Sequence, residues 1–476
     1  MRIEHRQPVI PVKAGIQCVN QTAIRPTNWI PAFAGMTVVS RGFLFLAMLI
    51  AAPIALAGLN IQNWSTPQGA RVYFVENHEL PMLDISVDFD AGSARDSREK
   101  SGLATLTRHV MTLGAGSFDE RDIAEKMADV GADLGGRLDA DRAGFQVRTL
   151  SGKTERDQAL DLLAAILAAP RFDAGILERE KARVIAGLQE AETRPEHIGE
   201  KAFQAAIYGD HPYALNEGGE VETVAKLSRD DLVAFHRAHY RARNMVVAVM
   251  GDISRVEAEK LAEKLANGLP PGEAAAPLPL VRMAEQGRLQ IIPHSATQSH
   301  LFMGLPGLKR EDPDYFPLYV GNYVLGGGGF DSRLTKAIRD KKGLAYSVYS
   351  YFMPMRELGP YQIGLQTRRE ATNDAVDSAR AELERYLEEG PSDAELTQAK
   401  NNLVGGFPMR IDSNKKILEY LAVIGFYRLP LDWLDTYTAK VEAVSRDDIL
   451  RAFRARVRPA AMSTVIVGGQ VEGQGK

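Results

Sequence analysis

The stretch "LSRDDLVAFHRAHYRARNMVVAVMGD" (residues 227–252) occurs a second time, in altered form, as "VSRDDILRAFRARVRPAAMSTVIVGG" (residues 444–469). The two copies lie 217 residues apart and align without a gap. In each copy a Ser precedes acidic residues, which is typical of a capped helix start, and an apolar run typical of a strand follows. The repeat predicts two homologous modules with the same order of elements.

A second pair of segments supports this division of the chain. Residues 116–135, "GSFDERDIAEKMADVGADLG", align with residues 328–347, "GGFDSRLTKAIRDKKGLAYS", at an offset of 212. Between the repeats runs "LPPGEAAAPLPL", a Pro- and Ala-rich segment without periodicity. We therefore expect an N-terminal module over 58–268, a linker over 269–280 and a C-terminal module over 281–476.

The order of elements within a module predicts the fold class. Apolar strands at 70–77 and 83–90 come first, and amphipathic helices at 154–168, 174–193 and 196–207 follow further along. Strands and helices grouped in runs, with hairpin-like strand pairs, favour an α+β module over a doubly wound parallel sheet.

Composition and charge exclude some classes of function. The 476 residues are 45% hydrophobic and 25% charged, which is ordinary for a globular protein of two or more domains. The net charge is −4 and no basic block occurs, which argues against a nucleic-acid partner. The single cysteine, Cys18, excludes a disulfide framework.

The first 57 residues are interpreted as a leader. Arg41 precedes "GFLFLAMLIAAPIALA" (42–57), which is a secretory signal with a small-residue exit. Its apolar run is too short for a membrane span, so we expect no stable membrane anchor. Signals begin at a start codon, and the preceding residues have no apolar periodicity, so we interpret Met36 as the true start and expect the mature chain to begin near Gly58. An acidic chain that loses its only cysteine with the leader fits a Gram-negative periplasm.

Several motifs together resemble one known family. They are "AGSARDSREKSGLATLTRH" (91–109), "YGDHPYA" (208–214), "FHRAHYRARNMVVAVMGD" (235–252) and "SRLTKAIRDKKGLAYSVYS" (332–350). In this order they resemble the insulinase/pitrilysin family of zinc peptidases over essentially the whole mature chain. The resemblance implies homologous α/β modules of the metallopeptidase type, joined by a linker, that close around a peptide in a clam-shell arrangement. Some bacterial members, and the mitochondrial processing peptidase, divide the work between two chains.

The same resemblance indicates that the zinc site is degenerate. Active members carry H-x-x-E-H on a helix, where two His four residues apart bind zinc and the Glu activates water, and a later Glu completes the site. At these positions the chain has Thr105, Arg108, His109 and, for the later Glu, Gly187. The fixed positive charge of Arg108 would repel a metal ion beside His109. We therefore expect no metal or other cofactor in this chain.

A second pair of residues matches the family in the C-terminal module. Active members use an Arg and a Tyr seven residues apart to bind the substrate backbone and the oxyanion, and Arg339 and Tyr346 have this spacing. The aligned residues of the first repeat are Met127 and Leu134. A structural alternative is that Arg339 is a solvated helix residue and Tyr346 a half-buried strand residue.

The remaining histidines and a glycine-rich segment are interpreted as structural. His236 and His239 share a helical face, but the pattern offers no third ligand, and His211 in "GDHPY" reads as a turn residue. The segment "LGGGGF" (325–330) lacks the Gly-Lys-Ser/Thr of a phosphate-binding loop and is predicted to be a flexible loop between two helices.

These inferences lead to one hypothesis with two alternatives. The chain is the zinc-free subunit of a two-chain periplasmic metallopeptidase, inactive alone, whose homologous H-x-x-E-H partner carries the zinc and whose substrate is a peptide or unfolded polypeptide. The first alternative is a peptide-binding or assembly protein that keeps the fold without catalysis. The second, a self-sufficient zinc endopeptidase, conflicts with Thr105, Arg108 and Gly187.

Overall fold

The computed structural model describes residues 59–468. The predicted leader, including the proposed start at Met36 and the cleavage point before Gly58, lies outside the described residues. None of the helices between residues 59 and 468 is both long and apolar enough to cross a membrane.

The first module begins with three strands and ends with a helix that follows its last strand. Its elements are β1 (Gln62–Ser65), β2 (Arg71–Glu76), β3 (Met82–Phe89), α1 (Leu103–Met111), β4 (Gly114–Ala115), β5 (Phe118–Asp119), α2 (Glu120–Asp129), β6 (Asp133–Leu138), β7 (Ala143–Leu150), α3 (Lys153–Ala168), α4 (Ala174–Ala191), α5 (Pro195–Tyr208), α6 (Val221–Lys226), α7 (Arg229–His239), β8 (Met245–Gly251) and α8 (Arg255–Asn267).

The second module repeats most of this order. Its elements are β9 (Leu289–Ile292), β10 (Gln298–Leu308), α9 (Tyr315–Asn322), β11 (Ala345–Phe352), β12 (Gly359–Arg368), α10 (Thr372–Glu389), α11 (Asp393–Gly406), α12 (Asn414–Tyr427), α13 (Tyr437–Ala443), α14 (Arg446–Arg456) and β13 (Ser463–Val467). The segment between Asn267 and Leu289, which contains the expected linker, is irregular.

The two main sheets have the same topology, as the sequence repeat predicts. The first runs β1-β2-β8-β3-β7-β6, and the second, read from its other edge, runs β9-β13-β10-β12-β11. In the first sheet β2 pairs in parallel with β8, and in the second β9 pairs in parallel with β13. The remaining pairs from β8 to β6 and from β13 to β11 are all antiparallel. The fold is therefore α+β with two equivalent modules, which confirms the predicted class.

Local sequence explains where the repeated helices begin. Ser228 and Ser445 are the N-caps of α7 and α14, and each Ser side chain accepts a hydrogen bond from the backbone of the third helical residue. Asp231 and Asp448 return the bond to the backbone of the Ser, which completes a capping box. The predicted capped helices are thus confirmed.

Each module covers the sheet of the other with one of its own helices. Helix α5 of the first module packs on β10 and β13, and helix α12 of the second module packs on β8, β3 and β2. The side chains of β2 alternate accordingly: Val72 and Phe74 lie in the core of the first module, whereas Tyr73 and Val75 lie in the core that contains α12. Strand β8 is apolar throughout because both of its faces are buried.

A buried carboxylate joins the two modules beside these helices. The Asp141 carboxylate accepts hydrogen bonds from the hydroxyls of Tyr213, at 2.5 Å, and Tyr427, at 2.9 Å, and from the backbone N–H of Arg356, at 2.7 Å. Tyr213 belongs to the "GDHPY" segment, so this motif connects to the second module through its tyrosine. Burial raises the pKa of Asp141, and the two tyrosine bonds oppose that shift.

Two features differ from the sequence prediction. The segment "LGGGGF" is partly helical, because residues 323–327 continue α9 as a π-helical turn in which Leu325 and Gly326 are buried. A Cβ atom on Gly326 would lie 2.3 Å from the Ser350 hydroxyl oxygen, so the glycine permits close contact with β11. Helix α8, which follows the predicted helix and strand of residues 227–252 within the module, was not predicted.

The exchanged helices generate a stability prediction. A Cβ atom on Gly425 of α12 would lie 2.6 Å from the Tyr73 ring and 2.7 Å from Val246. We expect Gly425→Ala to lower the free energy of unfolding by about 1–3 kcal/mol through overpacking. Gly187→Ala is the control: its Cβ would meet no atom within 4 Å, so helix propensity should make it neutral or stabilising by up to about 1 kcal/mol. Urea denaturation measures both, and equal effects of the two variants would contradict the prediction.

Candidate functional site

Helix α1 carries the residues aligned with the zinc motif. The Asp96 carboxylate holds its first turn by accepting bonds from the backbone N–H groups of Gly102, at 2.8 Å, and Ala104, at 2.9 Å. Burial raises the pKa of Asp96 to about 7 against the effect of these bonds. The helix places Thr105 and His109 one turn apart on the same face.

Thr105 and Gly187, at the first and last aligned positions, carry neither an imidazole nor a carboxylate that could bind zinc. The Thr105 hydroxyl is used in a hydrogen bond to the backbone carbonyl of Glu217. Gly187 lies on the exposed surface of α4, two helical turns after Glu180.

His109 has a partner that the alignment with the zinc motif did not indicate. Its Nε2 lies 2.8 Å from a carboxylate oxygen of Glu180, a residue of α4 that is only 3% exposed. The same nitrogen lies 3.0 Å from an Nη atom of Arg183. A carboxylate oxygen only accepts, so the 2.8 Å contact with Glu180 requires a proton on Nε2, and that nitrogen then does not accept a hydrogen bond from Arg183.

Two arginines complete this cluster around Glu180. Arg179 lies 2.9 Å and Arg183 lies 3.1 Å from its carboxylate oxygens. Burial favours a high pKa for Glu180, but the bonds from His109 and Arg179 and the charge of Arg183 outweigh it, so the pKa is lowered overall. Arg179 also pairs with Glu120 at 2.8 Å, so two permanent cations already neutralise the two carboxylates, and no excess negative charge remains for a divalent metal.

Arg108, at the position of the catalytic Glu, is packed against the sheet. Its Nε donates to the carbonyl of Gly144 at 3.1 Å, and its guanidinium lies 5.5 Å from the centre of the Phe145 ring. A Cβ atom on Gly136 of the edge strand β6 would collide with this guanidinium, so the glycine provides the space for it. Burial lowers the pKa of Arg108, yet an arginine stays protonated and cannot act as a general base.

His236 and His211 have structural contacts. His236 is buried, bonds to the carbonyl of Leu167 at 2.8 Å and stacks on Tyr240. His211 caps a 3₁₀ turn and lies 2.8 Å from the carbonyl of Pro279, which confirms it as a turn residue. Across residues 59–468, no group of three or more His, Cys, Asp or Glu side chains is placed to hold a metal ion.

Arg339 and Tyr346 lie together in the second module. Arg339 belongs to a π-helical stretch, Thr335–Asp340, and Tyr346 is the second residue of β11. The Arg339 guanidinium lies 5.8 Å from the ring centre of Tyr346 and 4.7 Å from that of Phe330. Tyr346 is 87% exposed, so the structural alternative of a half-buried strand residue does not hold for it.

The repeat shows how different the same positions are in the first module. Strands β6 and β11 begin 212 residues apart, which places Leu134 and Tyr346 at the same point of equivalent strands. Met127 is buried and Leu134 is packed against the first-module core. An apolar, covered pair in one module thus corresponds in the other to a half-buried arginine beside an exposed tyrosine.

Sequence reasoning missed Glu180 and its two arginines. The spacing of the family motif predicts the later ligand near Gly187. In the structure His109 contacts Glu180, which lies two helical turns earlier on the same face of α4. The pattern "REKAR" (179–183), with its arginines flanking the glutamate, is the only signal in the sequence, and such charge patterns are common on exposed helices.

Comparisons with known proteins agree with this geometry. Residues 71–217 match the family described as Insulinase (Peptidase family M16), and residues 226–403 match the Peptidase M16 inactive domain. An uncharacterized zinc protease of Streptomyces coelicolor is 25% identical over 86% of this chain and 89% of its own length. The non-peptidase homolog YmxG of Helicobacter pylori is 25% identical over 84% of this chain and 92% of its own.

Two solved structures extend the comparison. A peptidase M16 inactive domain from Pseudomonas fluorescens superposes with a TM-score of 0.84 at 35% identity, over 87% of this chain and 98% of its own. The periplasmic protease PqqL of Escherichia coli shares the fold with a TM-score of 0.73 at 14% identity, over 86% of this chain and 46% of its own. With 35% identity across nearly all of both chains and the two family matches, this protein belongs to the insulinase family, peptidase family M16, as a homologue of its inactive type.

Proposed function

We propose that this chain is the zinc-free subunit of a two-chain metallopeptidase. A homologous chain with an intact H-x-x-E-H motif would bind zinc, and this chain would supply Arg339, Tyr346 and half of the wall around a peptide or unfolded polypeptide. The observation that carries the proposal is the Arg339–Tyr346 pair with its exposed tyrosine, present in the module where the family uses it and replaced by Met127 and Leu134 in the other.

The surroundings of the pair fit a role in binding. No described residue bonds the Tyr346 hydroxyl, so it is free to donate to a substrate carbonyl. Arg339 is held between two rings, which limits the conformational freedom that it would lose on binding. π-Helical turns are rare and are frequent at functional sites.

The size of one protein with the same fold fits a chamber built from two units. PqqL shares this fold, but the chain spans about half of its length. One PqqL chain is therefore long enough to hold two units of this size, and the clam-shell chamber would form between two such units, because the two modules of one unit pack directly on each other. A two-chain enzyme would assemble the same chamber from separate subunits.

The ion cluster of His109 and Glu180 takes a structural role in this proposal. In a zinc-bearing module a metal would tie α1 to α4, and here the Glu180 carboxylate does so through His109 while Arg179 and Arg183 balance its charge. Chemistry would then be left to the partner, because the only imidazole at this site is bonded to a carboxylate and flanked by cations.

The alternative of a peptide-binding or assembly protein without catalysis uses the same surface. The name of the Helicobacter pylori relative, non-peptidase homolog, favours it. It differs from the leading proposal in one respect: substitution of Arg339 and Tyr346 would change binding but no rate of hydrolysis.

The location proposed for the complex is the periplasm, reached through the signal at about 41–57. We expect the chain, expressed from the whole reading frame in a Gram-negative host, to be recovered from the periplasm with its N-terminus close to Gly58. Intact mass measurement and N-terminal sequencing check this result. Recovery of peptides from residues 1–35 would contradict both the interpreted start at Met36 and the cleavage.

The proposed catalytic pair is tested in a reconstituted complex. The chain would be combined with a homologous H-x-x-E-H chain of the same organism, assembly confirmed by size, and single-turnover cleavage of a peptide measured. Tyr346→Phe should slow cleavage roughly 100- to 1,000-fold, the usual effect of removing one oxyanion donor. Arg339→Lys should also weaken peptide binding, since a lysine keeps the charge but loses the planar fork.

Matched controls separate this role from a structural one. Tyr349→Phe removes a hydroxyl from the same strand, and it should leave the rate within about twofold. The isolated chain should hydrolyse nothing and carry no stoichiometric zinc in elemental analysis, whereas the complex should carry zinc. If Tyr346→Phe and Arg339→Lys change the rate no more than Tyr349→Phe does, the pair has no catalytic role, and the binding-or-assembly alternative replaces the proposal of a peptidase subunit.

The structural role of Glu180 has a pH dependence. Its folded-state pKa lies below its ordinary value of 4.5, so it stabilises the fold above that pH and loses the effect as pH falls through the folded pKa. Glu180→Gln should lower the free energy of unfolding by about 1–3 kcal/mol at pH 7, with a difference that shrinks below about pH 4.5. Denaturant titrations from pH 7 to pH 3 measure this. The control is Glu190→Gln, at an exposed position of the same helix, and a Glu180→Gln effect independent of pH would refute the assignment.

A further inference from the structure

A cavity of about 340 Å³ lies where the two modules meet, apart from both sites described above. Its walls come from the start of β2, the irregular segment after α8, the turn after β10, the turn between β11 and β12 and the end of α12. Six cationic side chains line it against two carboxylates, those of Asp90 and Glu311. The cations are Arg71, Arg243, Lys309, Arg310, Arg356 and Arg428.

Three of these cations are neutralised by neighbouring carboxylates. Arg243 lies 2.6 Å from Glu273, and Lys309 lies 2.8 Å from Glu357. Arg356 pairs with Asp90, whose carboxylate is also 2.7 Å from Arg95 and is therefore shared between two arginines. Asp90 is thus neutralised by Arg356 and Arg95 and does not neutralise the other cations that line the cavity.

The other three cations, Arg71, Arg310 and Arg428, have no carboxylate partner within residues 59–468. Arg71 donates to the carbonyl of Gly425 at 2.7 Å. Arg310 stacks at 5.2 Å on Tyr427, and its Nε is buried with no described hydrogen-bond partner. The Arg428 guanidinium has no described partner of any kind. Burial is the main cause that lowers the pKa of Arg71, and the charges of Arg428 and Arg356 add to it.

The backbone at Arg428 is strained. It follows α12 with φ 55° and ψ 38°, the left-handed conformation that glycine adopts without cost. A residue with a side chain costs roughly 1–2 kcal/mol there. Strained residues of this kind cluster at ligand clamps and other functional sites. The strain holds a third guanidinium at the mouth of a cavity that already has two unneutralised ones.

We propose that this cavity binds a small multivalent oxyanion that carries carboxylate or phosphate groups, held by Arg71, Arg310 and Arg428. Guanidinium groups bind both kinds of oxyanion through paired N–H donors, and three of them require more than one negative charge for neutrality. The volume lies at the lower end of the range for small-molecule sites, which excludes a folded macromolecule.

Binding would connect the two modules. Arg71 belongs to the first module, and Arg310 and Arg428 belong to the second. A bound oxyanion would therefore relieve the repulsion among the three guanidinium groups and accept hydrogen bonds from both modules. The proposal does not depend on the proposed peptidase role, because the cavity uses neither the α1–α4 cluster nor the Arg339–Tyr346 pair.

Thermal unfolding of the whole processed chain tests the proposal with two probes, inorganic phosphate and citrate, each titrated at constant ionic strength against sodium chloride. We expect a saturable rise in Tm with at least one probe and none with chloride. Isothermal titration calorimetry then gives the Kd. Phosphate alone, citrate alone or both would identify the oxyanion group that the site prefers, and each of these outcomes supports the proposal.

Two variants and a control assign the site. Arg428→Gly should weaken binding at least tenfold and, without ligand, raise Tm because it relieves the backbone strain. Arg310→Met should also weaken binding at least tenfold, and it tests the site independently if Arg428→Gly folds poorly. Arg380→Met removes an exposed arginine of α10 that does not line the cavity, and it should bind as the unchanged chain does. The proposal is overturned if neither probe gives a saturable shift, or if both cavity variants bind as tightly as Arg380→Met.

Discussion

The reciprocal packing of α5 and α12 is the constraint on which the rest of this structure depends. A sheet with two apolar faces must be covered on both, and each module supplies helices for one face only. The second face of each sheet is buried by the helix that the other module contributes. The modules are therefore parts of one folding unit, and the irregular segment that joins them need not hold them together.

This packing positions the polar groups between the modules. Asp141 is buried because Tyr213 approaches from its own module and Tyr427, at the end of α12, approaches from the other. The same end of α12 places Arg428 beside Arg71 and Arg310, so the basic cavity is a direct product of the exchange. A one-module fragment would expose a sheet face and leave the Asp141 carboxylate without the Tyr427 hydroxyl.

The two modules use one backbone plan for different chemistry. In the first, the helix that carries a zinc motif in active relatives is tied to α4 by an imidazole and a carboxylate, with two arginines beside the carboxylate. In the second, the stretch before β11 places a half-buried arginine beside a tyrosine that the strand exposes to solvent. The two sheets share one topology because their cores are constrained from both faces, whereas the position that is covered as Leu134 in the first module is exposed as Tyr346 in the second.

The sequence by itself determined the duplication, the helix caps, the α+β class and the degenerate state of the zinc motif, because all of these depend on local patterns or on residue identity. Capping boxes at Ser228 and Ser445 and the apolar run of β8 require no knowledge of distant neighbours. Tertiary structure alone decided that His109 meets Glu180 rather than a residue near Gly187, that Arg108 packs on Phe145, and that α5 and α12 exchange sheets. It also brought Arg71, Arg310 and Arg428 together from segments more than 100 residues apart. These contacts depend on how the faces of separate elements meet in space, and the one-dimensional order of side chains leaves that choice open.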